Sequence, residues 1–227
     1  MRNILAASLL VFGWAPLLGQ APAATSTPAA APAKTPASAP QTSNSDIGFS
    51  YGLPAEWETV PEPPPPAPLP DVIANPKLAI VKKGTACVQV TFTARHGNPA
   101  SVVVVVALPF ACYGQTMTAS DLLGFGAGAA EELKEIFEVG ANPVQGNYSL
   151  GSHSMWIERA KGAPKGHPEN QYTFEMVCSV LEKGAVCWMA MAADDASLQA
   201  FEQGAVSLDG EPASALVPAS ALPNKPS

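Results

Sequence analysis

The sequence predicts one α+β domain, a mostly antiparallel sheet with a long central helix and a C-terminal helix packed on it. Three observations carry this. Cys87–Ala94 alternates in side-chain character, and after a turn a run of five valines, Val102–Val106, follows. A capped segment with an apolar stripe runs from Thr118 to about Phe137. Two more pairs of strand-like segments come next, each joined by a tight turn, before a closing helix.

The chain opens with Arg2, an apolar run over Ile4–Leu18, and the small residues Ala21, Ala23 and Ala24. Signal peptidase reads that order, and Pro22 disfavours a cut after Ala21, so residues 1–23 are read as a signal peptide. The run is shorter than the about 20 apolar residues of a membrane span, and no span is expected once the leader is gone. Residues 24–45, rich in Ala, Pro, Ser and Thr, read as a disordered tether. The domain is assigned to 46–211, and the Ala- and Pro-rich 212–227 to a disordered tail.

Asp46–Tyr51 places Ile47, Phe49 and Tyr51 on one face of an opening strand. Leu53-Pro54 breaks it, and Trp57 begins a short extended return. Pro61–Pro70 (PEPPPPAPLP) is polyproline-like, because each ring fixes φ and removes a donor. A stiff surface connector is preferred to a ligand for a proline-binding groove. Asn75-Pro76 supplies an N-cap and first position, and Gly84 a stop, for a short helix over Pro76–Lys83.

In the hairpin that follows, Val88, Val90, Phe92 and Ala94 face one way, and Cys87, Gln89, Thr91 and Thr93 the other. Arg95–Pro99 turns the chain, and Ser101–Leu108 returns with no polar face. Such a strand is covered on both sides, which predicts helices above and below the sheet. Thr118–Asp121 resembles a capping box with Asp in place of Glu. Leu122, Phe125, Leu133, Ile136 and Phe137 form the helix stripe. Gly124, Gly126 and Gly128 each weaken it by about 1 kcal/mol relative to Ala, which a close approach to the sheet would justify. A phosphate cradle needs a strand leading directly into such glycines, and none does. Strands are expected at Val144–Leu150, His153–Lys161, Tyr172–Leu181 and Ala185–Ala192, with turns at Gly151-Ser152 and Glu182–Gly184. Asp194 or Asp195 caps a helix to about Gln203, with Leu198 and Phe201 inward.

All 19 acidic residues fall between Asp46 and Glu211, and of the 12 basic ones Arg2, Lys34 and Lys225 lie outside it, leaving 9 and a net charge of about −10. A surface so acidic repels phosphate backbones and anionic lipid, which disfavours nucleic acid and membrane surfaces as partners. Solubility alone also explains it. Cys87, Cys112, Cys178 and Cys187 all lie in the domain and, in an exported chain, predict two disulfides out of three connectivities. If Glu182-Lys183 is a two-residue turn, Cys178 stands opposite Cys187; if Gly184 is bulged, the two point to opposite faces. A turn near Gly97-Asn98 brings Cys87 near Cys112. The nearest-neighbour pairing, Cys87–Cys112 and Cys178–Cys187, is preferred.

An opening strand running into Pro54-Ala-Glu-Trp57, a long helix after the first hairpin, and a closing strand pair and helix over Ala185–Gln203 form a pattern. This layout resembles the PsbP/DcrB-like family of exported αβα domains. The likeness covers Asp46–Leu208 by pattern rather than by signature residues, and the proline insert and four cysteines depart from it. It implies an accessory or assembly role without a shared catalytic site.

No residues stand out as catalytic, cofactor-binding or metal-binding. His96, His153 and His167 have no second His at helix or strand spacing, and no CxxC is present. Gly151-Ser-His-Ser154 lacks the strand–elbow–helix setting of a nucleophile and reads as a hairpin turn. Glu131-Glu132 reads as a solvated helix face and Asp194-Asp195 as a cap. Trp57, Trp156 and Trp188 read as core before ligand groove. Lys161, Lys165 and His167 form the one basic cluster, a candidate contact for an anionic ligand or partner set against a solvated loop. The leading function is an exported, non-enzymatic accessory or binding domain; the sequence does not identify its partner, for which an envelope protein or polymer is the candidate. The rivals are a secreted hydrolase with dispersed catalytic residues, which would need a pocket gathering His153 or His167 with a Ser and a carboxylate, and a wall-associated structural protein.

Overall fold

The computed structural model describes residues 41–221 except residue 45, the segment 62–85 and residue 142, and omits the side chains at 41, 42 and 132. The leader, the tether as far as residue 40, the proline-rich stretch beyond Pro61, the helix expected over 76–83 and residues 222–227 lie outside the described residues.

Two hairpins make the centre of the main sheet. β4 (Gln89–His96) pairs with β5 (Ser101–Pro109), with a register shift between Val90 and Phe92. β9 (Tyr172–Val180) pairs with β10 (Gly184–Ala192), and Leu181 N–H donates to the Gly184 carbonyl at 2.8 Å across the turn. β10 docks antiparallel on β5, setting Met189 opposite Val104. β8 (His153–Pro164) lies against β9, and its other edge is shared by β6 (Phe137–Val139) and β7 (Val144–Leu150). With β3 (Glu58–Thr59) beside β4, the order is β3-β4-β5-β10-β9-β8-β6, with β7 also on β8. The architecture is α+β and mostly antiparallel.

Strand alternation then sorts the core. Val102, Val104 and Val106 face one way with Phe174, Met176, Cys187 and Met189. Val103 and Val105 face the other with Val177, Val186 and Trp188. None of the five valines is more than 6% exposed. After one turn of helix, α1 (Phe110–Tyr113), α2 (Ala119–Ile136) covers the first face through Leu122, Phe125 and Ala129. The Thr118 amide and hydroxyl both donate to the Asp121 carboxylate, at 2.8 and 2.7 Å, and fix its start. A Cβ at Gly126 would lie 2.4 Å from the Trp156 ring, so the missing side chain lets α2 rest on that indole.

The second face departs from the sequence expectation of helices on both sides. It is covered by α3 (Asp195–Glu202) together with a small sheet of order β1-β2-β11-β12, made of β1 (Gln41–Asn44), β2 (Phe49–Gly52), β11 (Ala205–Leu208) and β12 (Ser214–Ala215). Ile47, Phe49, Tyr51, Phe201, Val206 and Leu208 all bury here. Phe49 meets Trp188 edge-on at 5.8 Å, and the Tyr51 hydroxyl donates to the Phe201 carbonyl at 3.1 Å. The Asp194 carboxylate caps α3 by accepting from Ser197 N–H at 2.7 Å.

Both assigned ends of the domain shift. β1 begins inside the stretch read as tether, because its polar residues contribute backbone pairing and no apolar period. The stretch read as a disordered tail also folds: β12 pairs with β11, and Leu216, Val217 and Ala221 are at most 5% exposed. Those three side chains are scattered among Pro, Ala and Ser, too sparsely for a period to register, yet they complete the core. The folded region therefore runs to Ala221. Phe137 caps the C-terminus of α2, as expected, and also opens β6, while β8 continues past Lys161 to Pro164.

Candidate functional site

The most unusual chemistry in the fold is a charge cluster that strand register creates. Arg159 on β8 stands opposite Glu175 on β9, and α3 brings Glu202 to the same guanidinium. Arg159 Nε donates to Glu175 Oε2 at 2.7 Å, and Nη2 bonds both Glu175 and Glu202. The Glu175 side chain has no exposed surface, against 18% for Glu202 and 25% for Arg159. Glu175 Oε1 is buried without a hydrogen-bond partner. Burial pushes the Glu175 carboxyl up to about 7, Arg159 opposes the rise, and Glu202 adds to it. Glu202 is raised as well, chiefly by burial, with Arg159 opposing. Tyr148 of β7 is raised by burial and then by both carboxylates, and its hydroxyl donates to the Leu216 carbonyl at 2.5 Å. Two carboxylates around one guanidinium hold a shared proton more readily than a second buried charge.

The other face of the sheet carries a cleft of about 140 Å³ between the C-terminal half of α2, residues 139–141 and 143, and β8–β10. Ala129, Ala130, Leu133, Val139, Phe174, Met176 and Met189 line it, with Lys134 and Glu158 among its polar residues. Both already have partners: Lys134 Nζ lies 2.5 Å from Glu131, and Gln145 Nε2 donates to Glu158 at 2.8 Å. An apolar cavity of about 150 Å³ holds one benzene ring, so the cleft has room for one ring or branched side chain. Its two methionines are unbranched and adapt to irregular shapes.

The residues singled out in the sequence lie elsewhere. Lys161 stands on β8 opposite Thr173, and Lys165 and His167 belong to the turn that follows. All three are exposed, and His167 Nδ1 is 3.2 Å from Glu169. In the Gly151-Ser-His-Ser154 turn, the Ser152 hydroxyl donates to Glu211 Oε1 at 2.6 Å rather than to an imidazole. That bond and the Ser152 amide hold the Glu211 carboxyl below its usual range. His153 Nε2 is buried, 3.7 Å from Asp209 and 4.0 Å from Glu211, with no hydrogen-bond partner. His96 stacks on Trp57 with ring centroids 5.7 Å apart. Trp57, Trp156 and Trp188 are all core. Among the described residues no group of three His, Cys, Asp or Glu side chains is placed to hold a metal ion. Disulfides join Cys87 to Cys112 and Cys178 to Cys187.

Sequence reasoning passed over Arg159, Glu175, Glu202 and Tyr148. One signal existed: Glu175 is the only charged residue in the largely apolar Tyr172–Val180 run. The cleft had none, because it arises where α2, β6 and β8 meet.

No family model matches the chain, and no curated protein matches it by sequence. Among solved structures, the solution structure of cyanobacterial PsbP (CyanoP) from Synechocystis sp. PCC 6803 is similar at a TM-score of 0.44 and 11% identity, over 75% of this chain and 89% of that one. This is a distant resemblance in fold only.

Proposed function

We propose that this chain is an exported, non-enzymatic binding domain, carried on residues 24–40 after removal of the leader. Its α2 cleft receives one apolar side chain from a polypeptide partner that is basic around that anchor. The cleft carries the reading: an apolar cavity sized for one ring, whose lining contains no nucleophile–base pair. Charge selects the partner. The C-terminal half of α2 and β6 carry Glu131, Glu135 and Glu138 against Lys134, Glu158 lies in the cleft, and the 46–211 region has a net charge of about −10. Such a field attracts Lys- and Arg-flanked segments and repels anionic ones. Two disulfides and the absence of a helix long and apolar enough to cross a membrane, among the described residues, fit an exported protein in an oxidising compartment. Lys161, Lys165 and His167 form a second, smaller contact on the same partner, meeting its acidic groups.

The hydrolase alternative needs a serine activated by a histidine. Ser152 instead bonds Glu211, and the cleft lining includes neither residue. Titrating the purified chain with short peptides, one Phe between lysines against the same peptide with Ser for Phe or Glu for Lys, tests the binding reading. Binding should fall roughly tenfold to a hundredfold on losing the Phe, should weaken with salt, and should vanish in Ala130→Phe, which fills the cleft from α2. Equal binding of all three peptides, or full binding by Ala130→Phe, would overturn it.

A further inference from the structure

We propose that the Arg159–Glu175–Glu202 cluster is a proton-operated latch. It holds the C-terminal segment 214–221 on the sheet and releases it as the surroundings turn alkaline. The inference is independent of what the cleft binds.

The geometry connects the proton site to the segment. Glu202 ends α3; its side chain sits on Arg159 while its main-chain carbonyl accepts Val217 N–H at 2.9 Å. One step along, Leu216 N–H donates to the Gly204 carbonyl at 3.0 Å, and the Leu216 carbonyl receives the Tyr148 hydroxyl. The segment thus hangs on the backbone at the end of α3 and on the side chain that borders both carboxylates. Leu216 and Val217, both buried, are what it seals into the core.

Three elements present titratable or charged groups to this point: Arg159 from β8, Glu202 from α3 and Tyr148 from β7. Beside Glu175 they leave one negative charge in excess, on a residue whose Oε1 has no partner. A proton on the carboxyl pair removes that excess. When it leaves, a buried charge is uncompensated, and the cheaper relief is for Glu202, the less buried carboxylate, to swing into water. With its side-chain tie to Arg159 gone, the last turn of α3 is held less firmly, and the Glu202 carbonyl loosens its hold on Val217 N–H. The closed state binds the proton more tightly than the open state, so closure is favoured in acid and lost as pH rises through neutrality.

Amide hydrogen exchange resolved by NMR tests the latch, with rates at Leu216 and Val217 corrected for intrinsic exchange. From about pH 5.5 to about pH 8, protection at these amides should fall about tenfold or more in the wild-type chain, while Val103 and Val105 in β5 keep theirs. Glu175→Gln, neutral at every pH, should hold protection at the acid level throughout, and Glu202→Gln gives the same readout should the first variant not fold. Constant wild-type protection would overturn the proposal. So would a wild-type slope retained in either variant, or loss at Val103 and Val105 in step with Leu216, which means global unfolding.

Discussion

Cys178 on β9 and Cys187 on β10 stand directly opposite each other, with Cα atoms 4.2 Å apart and the sulfurs joined. The turn sets this relationship. Glu182-Lys183 is a two-residue connection closed by Leu181 N–H to the Gly184 carbonyl, so every pair behind it keeps the same register. A bulge at Gly184 would have slipped the strands by one residue and pointed the cysteines apart.

The other disulfide, Cys87–Cys112, spans 25 residues against 9, and loop-closure entropy makes the longer loop worth more. Replacing Cys87 and Cys112 together with Ala should lower stability by about 3–4 kcal/mol, read from urea unfolding without reductant. A loss under about 1 kcal/mol would mean that other contacts already restrain this loop in the unfolded chain.

Two glycines of α2 should respond in opposite directions. Gly124 is exposed, and Gly124→Ala should stabilise by up to about 1 kcal/mol through helix propensity. Gly126→Ala gains the same propensity but places a methyl 2.4 Å from the Trp156 ring and 2.9 Å from the Met176 methyl. Met176 can yield; the buried indole, packed under the helix, cannot. Overpacking costs about 1–3 kcal/mol, so Gly126→Ala should lower the melting temperature. Thermal unfolding of both variants decides it, and a rise for Gly126→Ala would show that α2 lifts off Trp156 at little cost.

Elements were legible in proportion to their length and to the purity of their period. The five valines could only be a doubly covered strand, and the tight turns between strands located both later hairpins. β11 and β12, at four and two residues, are too short for alternation to register, and β1 has no apolar side to read. For that reason the sheet over the second face went unseen, and helices were expected in its place. The site was less legible still. Arg159, Glu175 and Glu202 are far apart in sequence, and each looks ordinary alone; register on β8 and β9 and the docking of α3 make them a cluster. His153 shows the reverse. Its Ser-His-Ser setting suggests chemistry, yet the fold gives Ser152 to Glu211.

Arg159→Met should be among the most damaging single changes outside the apolar core. Removing the guanidinium leaves two carboxylates facing each other with nothing to offset them, at a cost of about 3–5 kcal/mol near neutral pH. Without Arg159 both carboxyls rise further above their unfolded values. The folded state then holds protons that the unfolded state releases, and stability falls as pH rises through the interval between those values. The defect should therefore shrink toward pH 4–5 in chemical unfolding measured across pH. A pH-independent defect would assign the loss to packing of the arginine stem.

Truncation after Glu211 tests whether the C-terminal stretch belongs to the domain. It removes Leu216 and Val217, buried at 0% and 3% exposure, each worth about 1.5–3 kcal/mol of apolar burial. It also strips the acceptor from the Tyr148 hydroxyl and the backbone bonds to Gly204 and Glu202. The shortened chain should lose about 3–5 kcal/mol and expose the face formed by Tyr148 and Phe201, seen as increased binding of an apolar dye. A truncated chain that melts with the full one and binds no dye would show that residues 212–221 only decorate a core already complete at Glu211.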